Sequence, residues 1–291
     1  MTTSSPGSNG STSLSERARL ALTGNLHLVF ASDPLRGTFL AAQSFSAPMH
    51  LSKTYWNGET LLVNVVNQTA GVFGGDRIVT QVVVESGAHV LFTSPSAARF
   101  HPSHGREARL LQAFDIRAGG SLDIFPEISI PQRDSRSFQK TDIRIEPGGE
   151  LLYLETLAPG RVASGETFAF ARYSWSTDLR LADRLVLRER ASITPHDSSL
   201  AGLTALFPAS YYAGIVLISP ASENWPPDFA HRVSTVGEAN SLIVAASKLC
   251  SGGWSFRLLT RNSLSLRRGI TGLRRLIYER LGRQVPDPRR S

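Results

Sequence analysis

The 291-residue chain is 41% hydrophobic and 19% charged, a balance that supports a packed core and excludes wholesale disorder. A single cysteine, Cys250, excludes an internal disulfide framework and any cysteine-rich zinc site, which suits a reducing compartment, and a cytoplasmic location is expected. Of the net charge of +7, almost all lies in residues 267–291, where eight arginines face two acids, so the body of the protein is near neutral.

Residues 1–20 are rich in Ser, Thr and Gly and lack a basic start followed by an apolar block, so they are read as a flexible tail and not as a secretory signal. Strand signals follow: "NLHLVF", "TLLVNVV", "RIVTQVVV", "HVLFTS", "ARLLQAFDI", "SLDIFPEISI", "SFQKTDIRI", "ELLYLET", "TFAFARYSW" and "RLVLRER" are short, β-branched or aromatic, and bounded by Gly, Pro or Ser. No apolar run reaches the roughly 18 residues of a membrane-spanning helix.

The middle third contains a weak repeat. "VVVESGAHVLF", "FDIRAGGSLDI" and "IRIEPGGELLY" each place two turn residues and a glycine between strands, with Gly87, Gly119 and Gly148 at the corresponding position. Glycine there supplies the positive φ that a tight turn requires. Each unit is expected to be a β-hairpin, and the units to stack in a row. The expected fold is all-β, with stacked, solenoid-like sheet layers, a few short helices and a C-terminal helix. A compact β-sandwich is the alternative. One domain over 21–285 is expected, with a short tail at 286–291.

Four segments carry candidate chemistry. In "AGVFGGDRI", Gly74 and Gly75 precede Asp76 and Arg77 at the start of a strand. Either the glycines form a bulged turn that Asp76 stabilises, or they let backbone and carboxylate line a narrow interior route. His101 and His104 in "HPSH" are two imidazoles that either ligate a metal such as nickel or sit on a solvated loop. In "LETLAPGRVASGETF", Glu155 and Glu166 flank Gly160, Arg161 and Gly165. Two carboxylates suit acid–base work, a salt-bridged turn, or transient contact with a divalent cation, and Arg161 favours the ionised form. "HDSS" at 196–199 lacks the Gly-x-Ser-x-Gly elbow of a nucleophilic serine, and is read as a loop and helix cap.

Short helices are expected in "SLAGLTALF" and around "WPPDFAHRVSTV"; "SLIVAASKL" reads equally as strand or buried helix. The clearest helix is 267–284, with Ile270, Leu273, Ile277 and Leu281 on one face and arginines on the others, ended by Pro286. Phosphate-loop, dinucleotide and His-Glu-x-x-His zinc motifs do not occur.

"TAGVFGGDRI", "VESGAHVLFTSPSA", the 126–132 stretch "PEISIPQ", "PGGELLYLE", "PGRVASGE" and "GGWSFRLL" resemble, in order and spacing, the urease accessory protein family UreD, also called UreH, over about residues 25–285. Gly74, Gly75, Asp76 and Arg77 match one family motif; Gly160, Arg161, Gly165 and Glu166 match another, with Glu155 the acid that precedes it. The resemblance implies a β-rich, non-enzymatic scaffold that binds apo-urease and UreF, reaches the GTPase UreG through UreF, and passes nickel(II) through an interior route, with no permanently bound cofactor. Asp76, Glu155 and Glu166 are then candidate cation contacts, with Arg77 and Arg161 orienting them. No membrane or nucleic-acid partner is implied. "ARFHPS" and the terminal "DPRRS" depart from the family pattern.

Three other readings make separable expectations. A carbohydrate- or protein-binding β-solenoid without a metal role needs an exposed aromatic row among Trp56, Trp175, Trp225 and Trp254. A hydrolase needs Glu155 and Glu166 about 5–10 Å apart in one cleft. A nucleic-acid binder that uses the C-terminal arginines needs steeply salt-dependent binding that is lost on deleting 267–291.

Overall fold

The computed structural model describes residues 21–195, 210–226, 228–250 and 252–287. The tail expected over 1–20, the stretch at 196–199, the helix read in "SLAGLTALF" and the last four residues lie outside the described residues.

Two sheets face each other. The seven-stranded sheet has the order β15-β14-β12-β9-β6-β1-β2, built from β1 (Thr23–Asp33), β2 (Gly37–Phe45), β6 (Arg77–Val84), β9 (Ala108–Ile116), β12 (Arg136–Ile145), β14 (Arg172–Leu181) and β15 (Arg184–Ile193). Its five central strands are parallel, and only β2 and β15 at the edges run antiparallel. The eleven-stranded sheet has a parallel centre of β5 (Thr60–Asn67), β7 (His89–Thr93), β10 (Ser121–Phe125) and β13 (Glu150–Leu157). It continues antiparallel through β16 (Tyr211–Ile218), β18 (Trp254–Thr260) and β17 (Ile243–Lys248). β3 (Met49–Leu51) and β4 (Tyr55–Asn57) pair with β5, and β8 (Ala98–Phe100) pairs with β11 (Ser129–Pro131).

The stacked, solenoid-like arrangement expected from the glycine repeat is present, but the repeat units are not hairpins. In each, the strand before the glycine belongs to the seven-stranded sheet and the strand after it to the eleven-stranded sheet: β6 to β7, β9 to β10, β12 to β13. The turns are corners of successive coils, and each strand pairs with the equivalent strand of the next coil. The corners also stack, the Gly87 N–H donating to Gly119 O at 3.3 Å and the Gly119 N–H to Gly148 O at 3.2 Å. All three glycines have φ between +72° and +86°. Both strands of each unit carry apolar side chains toward the other sheet, so crossing between sheets buries surface that a hairpin would leave in water.

Alternation along β13 shows how the core divides. Leu151 and Tyr153 face the seven-stranded sheet and join Leu28, Phe30, Val82 and Phe114. Leu152 and Leu154 face the other way, toward two helices, and join Phe229, Leu273 and Ile277. The helices are α1 (Phe229–Ala239), in the region expected, and α2 (Ser263–Arg280). The α2 helix starts before the expected Arg267 because Asn262 Oδ1 accepts the Ser265 N–H at 2.8 Å. "SLIVAASKL" resolves to the strand β17.

The arginines of α2 do not all face solvent. Arg274 is 6% exposed, 3.4 Å from the Asp123 carboxylate of β10, and its guanidinium lies over the Phe125 ring at 4.4 Å. The Tyr278 hydroxyl also donates to Asp123. Arg267, Arg280 and Arg283 pair with Glu127, Asp228 and Glu150. Much of the charge that suggested a polyanion-binding tail is therefore engaged in fastening α2 to the body.

Candidate functional site

The loop from Ala70 to Asp76 explains its glycines. A Cβ on Gly74 would stand 2.4 Å from Ser103 O and 2.6 Å from Ser103 Cα, so the 99–106 segment packs against bare backbone there. Asp76 is 2% exposed, and its carboxylate closes the turn: Oδ2 accepts the Phe73 N–H at 2.8 Å and Oδ1 the Leu22 N–H at 2.9 Å. Arg77 points outward and makes no ion pair with Asp76 among the described residues. Gly74→Ala is expected to cost about 1–3 kcal/mol through this overlap, visible as a lower urea midpoint at unchanged m-value. Asp76→Ala strands two amide donors and is expected to cost about 1–3 kcal/mol per donor, checked by the same titration.

Glu166 is likewise engaged. The Arg161 guanidinium clamps it with two hydrogen bonds, Nε to Oε2 at 2.9 Å and Nη2 to Oε1 at 2.5 Å, and the Arg133 N–H adds a third at 3.2 Å. The Arg161 hydrogen bonds hold its carboxyl below the usual glutamate value. Gly160 and Gly165 bracket this turn, with φ of +140° and +73°.

Glu155 differs from both. The β13 alternation turns it, like Tyr153, into the space between the sheets, where it is 8% exposed. Tyr153 OH donates to Oε2 at 3.2 Å, while Oε1 accepts no hydrogen bond within normal geometry among the described residues. Burial pushes the carboxyl up to about 8, and the nearby Glu189 carboxylate adds to the shift. The carboxyl borders a cavity of about 280 Å³ between the sheets, lined also by Thr80, Gln112 and Gln139 from the seven-stranded sheet. Its rim is formed by segments 69–72 and 94–99, where Ser96 and Arg99 are exposed. Asp76 and Glu166 are not among its lining residues.

His101 stacks on Phe73, with ring centroids 4.3 Å apart and planes 7° off parallel, and its Nε2 is 3.1 Å from Ala70 O. His104 is exposed, with φ of +45°. Among the described residues no three His, Cys, Asp or Glu side chains converge as a metal-holding group.

Sequence reasoning missed Glu189, the acid nearest in influence to Glu155. Tyr212 OH donates to its Oε1 at 2.8 Å, and Arg257 Nη2 donates to its Oε2 at 2.5 Å. The signal was available: in "RLVLRER", period-2 alternation puts Glu189 on the side of Leu187, opposite Arg188 and Arg190. The carbohydrate-binding alternative finds no aromatic row, since Trp175, Trp225 and Trp254 are buried and only Trp56 is exposed. The hydrolase alternative finds Glu155 in the cavity and Glu166 in a separate turn. Among the described residues no helix is long and apolar enough to cross a membrane.

The comparisons with known proteins agree with one another. A urease accessory protein UreD from Opitutus terrae is 35% identical over 273 residues, covering 92% of this chain and 98% of its own. One from Cupriavidus metallidurans is 32% identical, covering 65% and 67%, and one from Mycolicibacterium gilvum is 27% identical, covering 79% and 82%. A family model described as UreD urease accessory protein matches residues 22–291. With this match spanning both sheets, both helices and the cavity between them, the chain belongs to the UreD family of urease accessory proteins and serves urease maturation.

Proposed function

We propose that the chain is a non-catalytic nickel carrier of the cytoplasm. It bridges apo-urease and UreF, with UreG reached through UreF, and passes nickel(II) through the space between its two sheets. The observation that carries this reading is the buried Glu155 carboxyl, whose Oε1 accepts no hydrogen bond among the described residues, at a cavity large enough for a hydrated cation. A divalent cation there meets the buried Glu155 carboxyl, with the Tyr153 hydroxyl and the Gln112 and Gln139 amides around the space and the half-exposed Glu127 also lining it. Such a sparse set of oxygen and amide groups suits passage better than storage.

A carboxyl whose proton is held to about pH 8 admits a cation by releasing that proton, and the return of the proton favours departure. Asp76 and Glu166 act as cation contacts only by giving up the N–H and guanidinium partners they hold, so their proposed part is to fix the two turns in place.

The test is reconstitution of urease with UreF and UreG, with and without this chain, counting nickel per urease active site. Nickel loading that requires the chain supports the reading. Equal loading without it rejects the reading.

A further inference from the structure

Parallel sheets are almost always covered on both faces, because their strands carry apolar side chains on both sides. The eleven-stranded sheet obeys this rule, with the other sheet on one face and α1 and α2 on the opposite one. The seven-stranded sheet has no such cover on its outer face among the described residues. Its five central strands are parallel, yet its outward side chains include Val29, Val79, Val83, Leu111, Ala113 and Phe138, none of which belongs to any of the three core clusters. Register places them together: Val79 lies beside Leu111, Val29 beside Val83, and Gln81 beside Ala113. They are half-buried.

The charges around this band have one sign in excess. On the β14–β15 side, three guanidiniums converge on one carboxylate: Arg188, Arg180 and Arg190 lie 2.9, 3.7 and 3.8 Å from Asp178. Arg188 and Arg190 are about half-exposed or more, so their donors remain available to a second partner. Farther along, Arg77 and Arg136 are exposed at the starts of β6 and β12.

We infer that the outer face of the seven-stranded sheet docks an acidic protein surface with a flat apolar centre. The apolar band supplies the buried core of the interface, and the arginines at its edge supply orientation and association rate. A second copy of this chain does not fit, because a two-fold contact through this face would set arginine cluster against arginine cluster or against bare apolar surface. The segment 1–20 does not fit either, with two arginines against one glutamate and few apolar residues.

The proposed maturation role enters only in the choice of probes, purified apo-urease and purified UreF, each tested by interferometry at 50 and 300 mM salt. The variants are Leu111→Lys and the pair Arg188→Glu with Arg190→Glu, and sedimentation follows self-association of each. The expected result is that one probe binds the wild type, that each variant weakens it at least tenfold, and that the charge-reversal loss is larger at low salt. Binding of a probe with unchanged affinity by both variants overturns the docking face while leaving the maturation role intact. Binding of neither probe overturns the docking face and the proposed bridging of apo-urease and UreF. Self-association of the wild type that the variants abolish overturns the acidic partner and assigns the face to a second copy.

Discussion

Arg274→Ala is expected to lower the stability of the protein by about 3–5 kcal/mol, because it leaves the Asp123 carboxylate buried without its cation. Asp123 lies under α2 with Arg274 and Tyr278 as partners, and burial still holds its carboxyl above the ordinary aspartate value against the pull of Arg274. Loss of the guanidinium also removes the stacking on Phe125. Urea unfolding of Arg274→Ala and of the double variant Asp123→Leu with Arg274→Met separates the causes. The double variant is expected to recover most of the loss, since a buried pair replaced by apolar groups of similar volume is often neutral or better. A double variant as unstable as Arg274→Ala would mean that shape, or the Tyr278 hydroxyl left without Asp123, and not the stranded charge, sets the cost.

Glu155→Gln is expected to act in the opposite direction. Burial pushes the Glu155 carboxyl up to about 8 in the folded protein, from the ordinary 4.5. Between those values the folded state holds a proton that the unfolded state has released, so this group lowers stability progressively as pH rises from about 4.5 to 8. Glutamine never ionises and removes that slope. The gain at pH 8 is expected to be on the order of 4 kcal/mol, and to vanish below pH 4.5. Urea midpoints of the wild type and of Glu155→Gln across this range check it; parallel curves would show that Glu155 is ionised in the fold at neutral pH.

The architecture was legible because its two main signals are local. Gly87, Gly119 and Gly148 announce stacked units, and their flanking segments read as short strands rich in β-branched and aromatic residues. What could not be read was the partner of each strand. A turn with one positive-φ glycine serves a hairpin or a corner between sheets equally well, and only burial of both faces of β7, β10 and β13 decides for the corner. The candidate acids were found as a set, but their states differ for reasons outside their local sequence. Asp76 is held by the Leu22 amide 54 residues away. Glu166 is governed by Arg161, five residues away, which the spacing did foretell. Glu155 is raised by burial and by Glu189 on a strand of the opposite sheet. Arg274 looked like one more surface arginine, since nothing near it in the chain identifies Asp123, 151 residues earlier, as its partner.

The opposing effects expected of Glu155→Gln make it the most direct test of nickel passage. The variant keeps size and shape, is expected to be more stable than the wild type, and lacks the buried ionisable oxygen pair that Glu155 places at the cavity. Nickel per urease active site would be measured after reconstitution with UreF, UreG and either form of the chain, with complex assembly confirmed by size-exclusion chromatography. Passage through the inter-sheet space predicts that loading falls several-fold with Glu155→Gln while the complex still assembles. Full loading by an assembled, stable Glu155→Gln complex would contradict it.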